Sequence, residues 1–81
     1  METAVNRDTT SNIIKSWREY LTYRGISFEQ GVSEMNISSN TNVLLSDIAE
    51  WEKGTREINI DALRYIVDEV YEYAKIQCNL I

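Results

Sequence analysis

Ser46-Asp47-Ile48-Ala49-Glu50-Trp51-Glu52-Lys53-Gly54-Thr55-Arg56-Glu57 is the stretch on which the reading of the fold turns. Ile48 and Trp51 stand at the spacing that puts two side chains on one face of a helix, with polar or small residues between them. Gly54 follows the last helical residue and can take the left-handed conformation that ends a helix. The stretch therefore predicts a helix that buries Ile48 and Trp51, stops near Lys53, and passes into a loop over residues 55–58.

Upstream lies Ser38-Ser39-Asn40-Thr41-Asn42, a polar run rich in residues that cap helix N-termini. The third helix is expected to start inside it, turning Val43 or Leu44 inward with Ile48 and Trp51, or Leu45 if the register shifts by one. Ser27-Phe28-Glu29-Gln30 reads as a capping box that opens a short second helix, about Phe28 to Met35, burying Val32 and Met35. Asn36, which tolerates left-handed backbone, is expected to make the turn after it. A first helix over Ser11 to Tyr23 follows from Ile13, Ile14, Trp17, Tyr20 and Leu21, and Gly25 caps its end. Residues 1–10 are mostly polar and read as a flexible tail.

Downstream, Asn59 can cap a long last helix from Ile60 to about Gln77. Leu63, Ile66, Val67, Val70, Tyr71 and Ala74 are expected to form its inward face. Ile76, Leu80 and Ile81 carry apolar character to the end of the chain. The pattern predicts an all-α domain over residues 11–81, with four or five helices and no internal repeat.

Composition narrows the chemistry. With 81 residues there is room for one modest core. The chain has no histidine and one cysteine, Cys78, so His-based triads, ordinary zinc sites and an internal disulfide are ruled out. No apolar run approaches the roughly 18 residues of a membrane helix, and no basic-then-apolar leader opens the chain, so a cytoplasmic protein is expected. No Gly-rich phosphate loop and no nucleophile beside a base occur, so no catalytic residue, metal or cofactor is assigned. Glu29, Glu34, Asp68, Glu69 and Glu72 are spaced as solvated helix faces. Trp17 and Trp51 sit at core-facing positions, and Cys78 reads as a small hydrophobe at a helix end.

Two segments resemble a known family. Ile26-Ser27-Phe28-Glu29-Gln30-Gly31-Val32-Ser33-Glu34-Met35-Asn36-Ile37-Ser38 is similar to the opening of the lambda-repressor-like (Cro/CI-type) helix-turn-helix family. The quoted stretch from Ser46 to Glu57 resembles that family's second signature, an aromatic-Glu-x-Gly-x-Arg pattern after the recognition helix. Ile60 to Ile66 then matches the start of its next helix. The resemblance covers about Ser16 to Val70. It departs from the family in one place, where extra residues sit among Asn40 to Leu45 and either lengthen the third helix or enlarge the turn before it.

The resemblance implies a sequence-specific DNA-binding transcriptional regulator of the small phage, prophage or plasmid repressor type, with helix 3 in the major groove of double-stranded DNA. If the extra residues lengthen helix 3, Ser39, Asn40, Thr41 and Asn42 become its leading tip, where Asn amides and Ser or Thr hydroxyls can read base edges. If Trp51 sets the register, Ser46, Asp47 and Glu50 face the groove. The first arrangement is the favoured expectation. Lys53, Thr55 and Arg56 are the expected phosphate contacts, unless Arg56 is tied to Glu52 or Glu57. Arg18 and Arg24 could extend the basic face. A homodimer through the C-terminal helix is expected.

The charge points elsewhere. Eight basic residues against 13 acidic ones leave a net charge of -5, awkward for a chain that must neutralise phosphates. The competing expectation is a protein-binding module on the same fold, such as an antirepressor or another small phage inhibitor, whose partner is another regulatory protein. The two are separated by where the arginines go: onto the face of the third helix, or against carboxylates.

Overall fold

The computed structural model describes residues 7–79. Within them lie four helices and no strand: α1 (Arg7–Arg24), α2 (Phe28–Ser39), α3 (Leu45–Lys53) and α4 (Ile60–Asn79). Helix α1 is the central element and packs against each of the other three, while α2 also packs on α4. Its stripe of Ile14, Trp17 and Leu21 is buried among Val32 and Met35 of α2, Ile48 and Trp51 of α3, and Ala62 and Ile66 of α4. The core expected from helical spacing is therefore present on α1, α2 and α3, with both tryptophans inside it, whereas on α4 only part of the expected face takes part.

Local capping chemistry sets most of the boundaries. The Ser27 hydroxyl accepts from the Gln30 amide at 3.0 Å and opens α2. The Asn59 side chain accepts from the amides of Asp61 and Ala62 at 2.9 and 3.1 Å and opens α4. Gly54 closes α3 at φ 78°, its N–H reaching the carbonyls of Glu50 and Trp51. A β-carbon in that left-handed region would be strained, which is why glycine follows Lys53. Gly31 serves packing instead. A β-carbon there would come within 2.8 Å of Leu21 Cδ2, and closer still to its Cδ1, so the missing side chain lets α2 lie tight on α1.

Several expectations are corrected. Helix α1 starts at Arg7, so residues 7–10 are helical and not part of a tail; the rest of the expected tail, residues 1–6, lies outside the described residues. Thr10 and Ser11 are half-buried, which gives this extra turn cover. Helix α2 continues one turn past Met35, and Asn40, not Asn36, takes the left-handed cap at φ 57°.

The reason lies in the Asn36 side chain. Its amide nitrogen donates to the Val43 carbonyl at 2.9 Å, and its oxygen accepts from the Val43 N–H at 2.9 Å and the Thr41 hydroxyl at 2.8 Å. From inside the helix, Asn36 thus satisfies both backbone polar groups of Val43.

Helix α3 consequently begins late, at Leu45, and the extra residues enlarge the turn before it. Leu44 precedes the helix with no polar side chain to cap it. The Asp47 carboxylate compensates by accepting from the Leu44 N–H at 3.0 Å.

On α4, the inward residues are Ala62 and Ile66, flanked by half-buried Leu63, Tyr65, Val70 and Tyr73. Val67, Tyr71 and Ala74, expected inward, are exposed on the other side. Two apolar stripes run along this helix, and only one can face α1. Among the described residues no helix is long and apolar enough to cross a membrane.

Candidate functional site

The face carrying the expected contact residues is built from the end of α2, the turn over residues 40–44, and α3. Residues Ser39 to Asn42 do not form a helix tip. Ser39 is the last residue of α2, with its hydroxyl 3.5 Å from the Asp61 carbonyl. Asn40 is the left-handed cap, the Thr41 hydroxyl is spent on Asn36, and Asn42 is an exposed loop residue. The favoured arrangement, in which these four lead the third helix, is thereby replaced by the register that Trp51 sets.

In that register Ser46 is exposed on the first turn of α3, with Ala49 and Lys53 following along the same side. Thr55 is exposed just beyond the helix, and its hydroxyl donates to the Glu50 carbonyl at 3.2 Å. Arg56 folds back onto α3. Its Nε donates to Glu50 Oε1 at 2.8 Å, and Nη1 lies 3.7 Å from Asp47 Oδ1. The partners are thus Glu50 and Asp47, not Glu52 or Glu57. The hydrogen bond and charge of Glu50, followed by the charge of Asp47, push the Arg56 guanidinium further up from its already high value.

The other arginines of the expected basic face are engaged too. Arg18 makes a forked pair with Glu52, at 2.8 and 3.2 Å, and its guanidinium lies 4.0 Å from the centre of the Phe28 ring. Arg24 bridges Glu34 of α2 at 3.1 Å and Glu69 of α4 at 3.9 Å. These pairs tie α1 to its three neighbours, so the arginines are distributed as clasps between helices and do not gather around the front of α3.

What gathers there is apolar. Ile37 is 81% exposed, Leu44 63% and Leu45 41%, and they line an open groove of about 540 Å³ whose walls also include Glu29, Asn36 and Thr41. The reading from residue types missed this. Its one signal was the run Val43-Leu44-Leu45, since three consecutive apolar residues cannot all enter one core. Val43 takes the inward place, 7% exposed, because Asn36 holds its backbone on both sides.

A smaller cleft of about 340 Å³ opens beside it, lined in part by Asn42, Asp47, Trp51, Arg56 and Asn59. The Trp51 indole N–H is buried and has no hydrogen-bond partner among the described residues. Trp17 differs: its indole N–H donates to Glu69 Oε1 at 3.2 Å, and its ring meets Phe28 edge-on at 5.5 Å. Among the described residues no group of three or more acidic or cysteine side chains could hold a metal ion. No family model matches the chain, and no curated protein and no solved structure matches it.

Proposed function

We propose that this chain is a small protein-binding module built on a lambda-repressor-like helix-turn-helix, in which α2 and α3 present an apolar face to another regulatory protein. The observation that carries the reading is the exposure of Ile37, Leu44 and Leu45 on one groove while Arg18, Arg24 and Arg56 are tied to carboxylates. Covering those three side chains is worth on the order of 3–5 kcal/mol before the cost of association. Contact between Arg56 and phosphate, by contrast, would first have to draw this side chain away from Glu50 and Asp47.

The chain's net charge of -5 and the presence of Glu29 on the groove wall favour a partner segment that is apolar on one side and basic beside it. A helix with leucines on one face and lysines on its flanks fits this description.

The second reading, a DNA-binding regulator of the small repressor type, is favoured by Ser46, Ala49 and Lys53. They lie exposed along one side of α3 and are small or basic enough to approach a groove. The two readings separate in one titration. The full chain is titrated with a Leu-faced, Lys-flanked synthetic helix, with the same helix flanked by Glu, and with a mixed-sequence DNA duplex, while the side-chain methyl resonances of Ile37, Leu44 and Leu45 and the backbone amide resonances of Ser46 and Lys53 are followed. The reading expects shifts with the Lys-flanked helix alone. Shifts around Ser46 and Lys53 with the duplex, weakening steeply with salt, would transfer the assignment to DNA binding.

A further inference from the structure

Helix α4 has an outer face that its fold does not use. Its inner residues, Ala62 and Ile66, are fully buried. On the opposite side run Ile60, Arg64, Val67, Tyr71, Ala74 and Cys78, in alternating steps of four and three, and all six are exposed. A helix with one solvated side carries polar residues there. Here a single residue of the stripe, Arg64, is charged, while Ile60, Val67 and Tyr71 are 64%, 42% and 63% exposed. Steps of four and three average about 3.5 residues, the period of a seam that stays against a second helix along its whole length. From Ile60 to Cys78 this seam runs about 27 Å at roughly 1.5 Å per residue.

We infer that α4 pairs with α4 of a second copy of this chain, in antiparallel orientation, along the seam from Ile60 to Cys78. The choice of occupant and direction comes from what each arrangement places together. A parallel pair would set Arg64 on the partner's Arg64, and its flanking charges would meet uncharged Leu63 and Val70.

An antiparallel pair centred near Glu69 stacks Val67 on the partner's Tyr71, Arg64 on the partner's Ala74, and Ile60 on the partner's Cys78. Each layer then sets a larger side chain against a smaller one, as a filled seam requires. Beside the seam run Asp61, Asp68 and Lys75. In the antiparallel pair Asp61 lies next to the partner's Lys75, twice by symmetry, against one close approach of Asp68 to the partner's Asp68. Lys75 is 52% exposed, pairs within its own helix with Glu72 at 3.1 Å and sits 5.1 Å over the Tyr71 ring, so at the edge of the same seam it can be shared between Glu72 and the partner's Asp61. One helix face covers less than the roughly 800 Å² per partner of a standard interface, so the dimer is a weak and reversible one.

The inference is tested on the full chain by sedimentation equilibrium across concentrations bracketing about 10–100 µM. A monomer–dimer equilibrium is expected, weakened about tenfold or more by Tyr71→Glu, with the helical circular dichroism spectrum unchanged. Leu45→Glu, on the α2–α3 face, leaves the dimer intact, so failure of this inference and failure of the protein-binding reading are separately visible. Orientation is read by mild oxidation. Ile60→Cys places a thiol opposite the partner's Cys78 and gives a covalent dimer, whereas the unaltered chain does not cross-link. Within one chain these two positions are too far apart to bridge. A chain that stays monomeric throughout the range, a dimer lost with Leu45→Glu but not with Tyr71→Glu, or ready Cys78–Cys78 cross-linking of the unaltered chain each overturns the proposal.

Discussion

Replacing Asn36 by alanine tests the anchor on which the α2–α3 face depends. One side chain makes three hydrogen bonds, donating to the Val43 carbonyl and accepting from the Val43 N–H and the Thr41 hydroxyl. Each such bond contributes about 0.5–1.5 kcal/mol net, and a polar group left buried and unpaired costs about 1–3 kcal/mol. The Thr41 hydroxyl can rotate toward water. The two Val43 groups are held beside a side chain that is 7% exposed and have less freedom to do so.

The expected destabilisation is therefore about 2–4 kcal/mol, a large share of what a domain of this size possesses. Thr41→Val removes one of the three bonds and should cost about 1 kcal/mol. The assay is urea unfolding followed by circular dichroism, paired with hydrogen exchange of the Val43 amide. That amide should lose protection by a factor of ten or more at about 1.4 kcal/mol per decade. If Asn36→Ala and Thr41→Val cost the same, and Val43 exchange is unchanged in both, Asn36 is not the anchor. The late start of α3 would then need another cause.

The remaining predictions concern the core. Trp17→Phe removes an indole donor from Glu69 and should cost about 2–4 kcal/mol, whereas Trp51→Phe discards a buried N–H that has no partner and should cost about 1 kcal/mol or less; equal costs in chemical unfolding would refute the distinction. Gly31→Ala sets a helix-propensity gain of about 1 kcal/mol against overpacking of about 1–3 kcal/mol on Leu21, so net destabilisation is expected. In a Leu21→Ala background the same change should turn stabilising, and a thermal-melting cycle that shows no reversal of sign would count against the close approach. The Tyr65 phenol is held above its ordinary value of 10.0, first by burial and then by the charge of Glu69, and Tyr20 is raised by the same two causes. Their protonated forms are favoured by the fold, so the stability they contribute is present below pH 10 and lost as pH rises above it. Tyr65→Phe should accordingly flatten the alkaline limb of a stability–pH profile, and an unchanged limb would exclude Tyr65 from it.

How far residue order alone reaches is clear from particular positions. Ser27, Gly25, Gly54 and Asn59 were readable as helix caps because a cap's hydrogen bonds close within a few residues, and each of the four stands at a helix boundary in the structure. Trp17 and Trp51 were readable as core for a similar reason: helical spacing aligns them with Ile14, Leu21 and Ile48 whatever they pack against. Asn36 was misread as a turn because its propensity for left-handed backbone is local, while its engagement with Thr41 and Val43 exists only once the loop has folded back. The expected tip at Ser39 to Asn42 failed with it.

Local order thus determined an all-helical chain, the places where its helices are capped, and most of what each helix offers to a core. Three matters were decided only by tertiary structure: which of the two apolar stripes of α4 turns inward, which of Val43, Leu44 and Leu45 is hidden, and whether the arginines are free. Both α4 stripes have helical spacing, so it is packing against α1 and α2 that selects Ala62 and Ile66 over Val67 and Tyr71. Arg18 meets Glu52 across 34 positions of chain, and Arg24 meets Glu34 and Glu69 on two different helices. Periodicity records which side chains could share a face. Which face is covered, and which charges cancel, depends on contacts between elements far apart in the chain.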